Sequence, residues 1–162
     1  MRRYLVPHLP AAPLTRCLLA GLGAVLAVGL VGGLSLQVGT PLLMAPFGAS
    51  CVLLFSVPGS PLSQPMHVVG GHLLSSMVAL TLRLALPNEW WAVALAVGLA
   101  IALMAAFRVT HPPAGADPIV LFAADPGFSY LLTPVLAGSV SMVMIAVLYH
   151  RLTKTPYPMK PA

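Results

Sequence analysis

The chain has 162 residues, 59 % of them apolar and only 7 % charged, with a mean hydropathy of +0.95. A soluble domain carries about 25 % charged residues to face water, so a globular cytosolic protein is nearly excluded and the solvent for most of this surface is lipid. The formal charge of +5 comes mostly from Arg2, Arg3, Arg16, Arg151, Lys154 and Lys160 at the two ends; without a basic stripe interleaved with aromatics, nucleic acid is not an expected partner, and both termini are expected on the cytoplasmic side.

Residues 1–16 read as a basic, Pro-containing cytoplasmic segment. The uncharged run at 17–36 is about 20 residues long, beyond the roughly 7–15 of a secretory signal core, and reads as a retained first span. Its glycines at 21, 23, 29, 32 and 33 permit close helix contact. Pro41 and Pro46 break the next apolar stretch, leaving a short helix of about 11 residues over 47–57. A charge-free loop, PGSPLSQP, fills 58–65. Residues 66–86 supply a second full span, with Gly70, Gly71 and His72 in its first part. Trp90 and Trp91 suit the interfacial belt at the start of a further span that runs to Arg108. The stretch 112–124 is short again and opens on Pro112, Pro113, Ala114 and Gly115. Residues 129–149 form the last span, and the Pro-rich tail 152–162 is expected to be cytoplasmic and mobile. Cys17 and Cys51 belong to no C-x-x-C pair and read as small buried apolar side chains without a disulfide.

Residues 17–151 therefore form one all-α membrane domain, and it contains an internal repeat at an offset of 67 residues. Aligning 46–55 (PFGASCVLLF) with 113–122 (PAGADPIVLF) gives five identities in ten, and Gly71 pairs with Gly138 and Met77 with Met144. The repeats fall at about 17–83 and 84–151, each a long helix, a short Pro/Gly-initiated helix and a long helix. Either four helices cross the membrane and the short ones re-enter, or all six cross. The positive-inside count does not choose between them.

A pair of interrupted segments at corresponding positions in two halves is the best sequence pointer to a transport site. A half helix starting inside a membrane directs unpaired N–H groups and its positive dipole end at whatever sits there, which favours anions. The expected substrate-binding residues are therefore Pro46, Phe47, Gly48, Ala49 and Ser50 at one start, and His111, Pro112, Pro113, Ala114, Gly115, Ala116 and Asp117 at the other. His111 stands at a helix break and can donate to an anion or relay a proton. Asp117, an acid within an apolar segment, reads equally as functional or as a capping side chain. His72, which aligns with Ser139, is expected to face the same cavity. Arg108, three residues before His111, is the candidate for an anion vestibule. His67 and His72 are five apart, rotated by roughly 140° on a helix, which does not suit a metal pair. His8 and His150 read as solvated. No cofactor or metal is expected.

The His-Pro-Pro-Ala-Gly-Ala run at 111–116, with Ala-Pro-Phe-Gly-Ala-Ser at 45–50, the PGSPLSQP loop and Gly-Gly-His at 70–72, resembles the HPP family of small integral membrane proteins over about residues 15–152. Members of that family are described with four spanning helices, and chloroplast and cyanobacterial ones are associated with nitrite transport. The resemblance implies a transporter or channel for a small anion, nitrite first. Asp117-Pro118 follows the core motif where members vary. An intramembrane enzyme using His111 and Asp117 with His72 is the alternative, without a GxSxG or HExxH motif to support it; a membrane scaffold or sensor is a third reading. Glycine-rich faces on a small bundle favour a homo-oligomer, and the absence of an evident transit segment makes a bacterial inner membrane the expected location.

Overall fold

The computed structural model describes residues 10–160; Arg2, Arg3 and His8 lie outside the described residues. Every regular element among the described residues is helical: α1 (Leu14–Val38), α2 (Pro46–Cys51), α3 (Pro65–Arg83), α4 (Trp90–Ala106), α5 (Asp117–Ala124) and α6 (Ala137–Leu152). Three helical stretches are long and apolar enough to cross a membrane, Leu14–Val38, Pro65–Arg83 and Phe128–Leu152, whereas Pro46–Ser56 and Trp90–Ala106 are shorter. At 1.5 Å per residue, α4 reaches about 26 Å, a little under a bilayer's hydrocarbon thickness.

Local sequence explains the boundaries. α1 ends at Gly39, which takes the left-handed conformation (φ 67°) that closes helices most readily on glycine. Ser35 then donates its hydroxyl to the Thr40 carbonyl (2.7 Å) and accepts from the Leu42 amide (3.1 Å), turning the chain back. Pro46 opens α2 at a position where its missing N–H costs nothing, and the helix widens into π turns over Val52–Ser56 before stopping at Val57. The 58–65 loop is held by its own side chains. The Ser63 hydroxyl lies within bonding reach of the Val57 and Leu53 carbonyls (2.8 and 3.0 Å), which share its one hydrogen, and the Gln64 amide donates to those of Pro58 and Ser60 (2.9 and 2.8 Å).

α3 is the central element, packed against α4, α5 and α6. Two glycines, Gly71 and Gly138, make close approaches that build the bundle. A Cβ at Gly71 would stand 2.7 Å from the Cβ of His111 and 3.0 Å from the Val109 carbonyl, so the extended segment before α5 lies directly on α3. At Gly138 an added Cβ would run into the Leu42 carbonyl and the Phe47 ring, so α6 lies directly on the segment that leads into α2. Gly71 thus receives the approach to α5, and Gly138 the approach to α2. Backbone cannot retreat as a side-chain tip can, and Gly138→Ala is expected to cost about 1–3 kcal/mol, measured as a lower midpoint of thermal unfolding in detergent. Gly98→Ala, where nothing lies within 4 Å, is the control and should leave the midpoint unchanged or raise it.

The start of α1 and the end of α6 share one end of the bundle, where the Tyr149 hydroxyl donates to the Leu19 carbonyl (2.7 Å). Three expectations are corrected at this end. The tail is held rather than mobile: Tyr157 is buried, donates to the Ser63 carbonyl (2.9 Å), and the Met159 amide donates to Gln64 Oε1 (2.8 Å). That burial pushes the Tyr157 phenol above its ordinary range. His150 is buried, not solvated, with its Nε2–H donated to the Leu54 carbonyl (2.8 Å) between Phe55, Tyr149 and Tyr157. Cys17 is exposed on α1 while Cys51 is buried, and both are free. Only Gly23, Ala27 and Val31, one stripe at four-residue spacing, are fully buried on α1, with Ala20 and Ala24 partly buried beside them, so most of this apolar helix faces outward.

Candidate functional site

At the centre of the bundle, four side chains from four separate segments join in one fully buried chain of hydrogen bonds. His111 Nδ1–H donates to the Leu62 carbonyl (2.8 Å), and its Nε2 lies 2.9 Å from Ser50 Oγ. The same hydroxyl lies 2.9 Å from His72 Nε2. His72 Nδ1 contacts the two carboxylate oxygens of Asp117 at 2.9 and 3.1 Å. Ser76 adds a hydroxyl to Asp117 Oδ2 (3.2 Å), and Ser75 donates to the Ala114 carbonyl (2.6 Å), tying the second short segment to α3. The two imidazoles sit edge to face with centroids 5.0 Å apart, and the Phe47 ring meets the His72 ring in the same manner at 5.0 Å.

The surrounding sequence dictates this convergence. α4 closes on Arg108 in the left-handed conformation (φ 59°), with the Val109 amide returning to the Met104 carbonyl (2.9 Å), the six-to-one bond of a Schellman turn. That reversal sends residues 109–111 across Gly70 and Gly71, and Pro112 and Pro113 keep His111 extended (φ −132°, ψ 103°). Asp117 occupies the first turn of α5, where the helix dipole favours its negative charge. Ser50 and Asp117 take the two nitrogens of the same imidazole.

The structure sorts the expected site residues into two groups. Ser50, His72, His111 and Asp117 come together, with Phe47 against His72 and the Ala114 carbonyl at the edge. The backbone donors expected at the helix starts are otherwise engaged. The Phe47 and Gly48 amides bond back to Met44 and Ala45 (3.0 and 3.1 Å), and the Ala114 amide to His111 (2.9 Å). The Asp117 amide returns to the Ala114 carbonyl. A turn precedes each start and satisfies the N–H groups that an abrupt beginning would have left free, so side chains rather than helix termini supply the polarity. The two starts do lie side by side, but the groove of about 630 Å³ between them is apolar, lined by Pro46, Ala49, Pro112, Pro113, Ala116 and neighbouring aliphatics. Gly48 is exposed and Gly115 half-buried.

Arg108 is exposed and makes no contact with the cluster; its place in the left-handed turn is its evident structural role. Arg83 pairs instead with Asp125 (2.9 Å). His67 donates Nδ1–H to the Thr110 carbonyl (2.9 Å), which steadies the residue before His111. Ser139 is buried but bonds only to the Leu136 carbonyl (3.2 Å). Among the described residues no group of three or more His, Cys, Asp or Glu side chains is placed to hold a metal. Ser75, Ser76 and the Leu62 carbonyl are additions to the expected set. The serines stand three and four residues after His72 and so share its helix face, a signal present in the sequence; a main-chain oxygen in a loop carries none.

The profile of the family described as HPP, transmembrane region, matches residues 9–158. Two transmembrane proteins of Dictyostelium discoideum are similar. One is 36 % identical over 126 residues, covering 72 % of this chain and 44 % of its own length. The other is 38 % identical over 128 residues, covering 74 % and 41 %. The chain therefore spans less than half the length of these relatives. No solved structure matches it.

Proposed function

The chain belongs to the HPP transmembrane family, and from that premise we propose that it carries a small inorganic anion across a membrane, with Ser50, His72, His111 and Asp117 as the polar station on the path. One observation carries this reading: a buried, completely hydrogen-bonded cluster at the junction of two Pro-initiated short helices in an otherwise apolar bundle. Buried ionisable groups in a membrane protein are costly and mark ion pathways or proton relays. A structural core of this size could be built from Leu and Ala without them. Nitrite is the first cargo to test, because family resemblance brings it forward; nitrate and formate share its size and charge.

The test is uptake into liposomes containing the purified protein. Nitrite is expected to equilibrate faster than in empty liposomes and His111→Gln to remove the difference; if nitrite, nitrate and formate all move at the empty-liposome rate, the reading fails. The alternative of an intramembrane enzyme draws on the Asp117–His72–Ser50 array, which has the hydrogen-bond order of a serine hydrolase. Under that reading a fluorophosphonate should modify Ser50. Under the transport reading the hydroxyl, fully buried and held between two imidazoles, stays unlabelled.

A further inference from the structure

The central cluster contains one hydrogen bond more than its side chains can fill in their ordinary states. Four bonds run in series from the Leu62 carbonyl through His111, Ser50 and His72 to Asp117, and each requires one hydrogen between its heavy atoms. Two neutral imidazoles and one hydroxyl supply three. The Ser76 hydroxyl reaches Asp117 from outside the series. With an ionised carboxylate the fourth hydrogen is missing, and two lone pairs would face each other at 2.9 Å across Ser50.

One additional proton resolves this, and three positions for it fill every bond. On Asp117, it donates to His72 Nδ1, while His72 Nε2–H donates to Ser50 and Ser50 to His111 Nε2. On His72, both ring nitrogens donate and Ser50 still points to His111. On His111, both ring nitrogens donate, the Ser50 hydroxyl reverses toward His72 Nε2, and His72 donates Nδ1–H to Asp117. Each arrangement fills all four bonds and leaves the cluster with no net charge. They interconvert by hydrogen shifts along bonds already formed.

We propose that this series is a proton relay between Asp117 and His111 and, resting on the transport reading above, that the anion crosses together with one proton. Charge balance supplies the reason for coupling. Arg83 is paired with Asp125, Arg108 is exposed, and no Lys or Arg bonds to the cluster among the described residues. An anion arriving at a neutral cluster would add an uncompensated buried charge, and a second proton is what offsets it. With Asp117 ionised and both imidazoles protonated, the cluster is singly positive and neutralises one monovalent anion. Ser50 Oγ then accepts an N–H from each imidazole, and its own hydrogen turns toward the Pro46 carbonyl (3.4 Å) or the cargo. The other titratable groups packed around the series are His67 on α3, Cys51 beside Ser50, and Tyr130 near Asp117, and none belongs to it. Only N–H and O–H bonds form and break: one anion and one proton enter from one side, and both leave on the other.

Asp117→Asn separates the relay from the scaffold. The new amide donates an N–H to His72 Nδ1, so neutral imidazoles and Ser50 complete the series without an extra proton, and nothing in it can move. In liposomes loaded with a pH-reporting dye, with the potential clamped by valinomycin and potassium, the unsubstituted protein should move one proton per nitrite at a rate independent of potential. Asp117→Asn should elute unchanged from a sizing column and lose both fluxes. Nitrite movement driven by potential and carrying no proton overturns the coupling and leaves the transport reading standing. No anion flux at all overturns both, and the relay is then judged alone by nitrogen-15 spectra and the carboxyl infrared band in nanodiscs. Three protonated nitrogens shared between His72 and His111, or two with a protonated Asp117, support it; two with an ionised Asp117 overturn it.

Discussion

Asp117→Ala is expected to lower the unfolding free energy by about 3–5 kcal/mol, the range found when one member of a buried ionic pair is removed, and to abolish anion uptake. The Asp117 carboxyl is fully buried, is the hydrogen-bond partner of His72 Nδ1 and accepts from the Ser76 hydroxyl. Truncation leaves His72 Nδ1 and the Ser76 hydroxyl without that partner in the closed interior of the bundle. His72→Ala should cost a similar amount, because it strands the carboxylate instead. The two losses should not add: once Asp117 is gone, much of what His72 contributes is gone with it, and the double variant should fall short of the sum by at least about 1 kcal/mol. Thermal or denaturant unfolding in detergent, run as a four-member cycle, measures this. Additive losses would mean that the two side chains contribute independently and that the bond between them is incidental.

Ser50→Ala produces the second large effect, of a different character. Among the described residues, the hydroxyl is the one hydrogen-bond bridge between the two imidazoles. Removing one oxygen leaves two ring nitrogens unpaired, each worth about 1–3 kcal/mol, while the ring packing among Phe47, His72 and His111 persists. Flux should drop roughly ten- to a hundredfold, the rate equivalent of losing one such bond from the rate-limiting passage. Ser50→Thr keeps the hydroxyl but adds a methyl beside the buried Cys51 and should recover part of the flux. Equal loss in both variants would show that volume, not the hydroxyl, matters at this position.

Much of this arrangement was legible in the chain, for identifiable reasons. Pro41, Pro46, Pro112 and Pro113 interrupt apolar runs, and breaks of that kind are local, so the two short helices follow from the sequence with boundaries close to those observed. Ser50 and Asp117, singled out at the two short helices, both bond to His72, and Gly71 and Gly138 lie against the segments that approach those helices. What stayed hidden was long-range. Nothing near Leu62 in sequence says that its carbonyl will meet His111, 49 residues away. Spacing likewise could not reveal that the N–H groups at 47, 48 and 114 would be consumed by the turns before them. Arg108 was read for its charge alone, and nothing in its spacing showed that it would close α4 in the left-handed conformation. His150 looked like a terminal, solvated residue until the tail closed over it.

That closure has a practical corollary. Tyr157 is latched to Ser63, immediately next to the main-chain oxygen on which His111 hangs, and Met159 is latched to Gln64. A bulky fusion joined just beyond Lys160 would pull on these two latches and, through the loop, on the imidazole deep in the molecule. Purification handles and fluorescent reporters therefore belong at the opposite terminus, and a preparation tagged beyond Lys160 should be cleaved before its rates are compared with those of any variant.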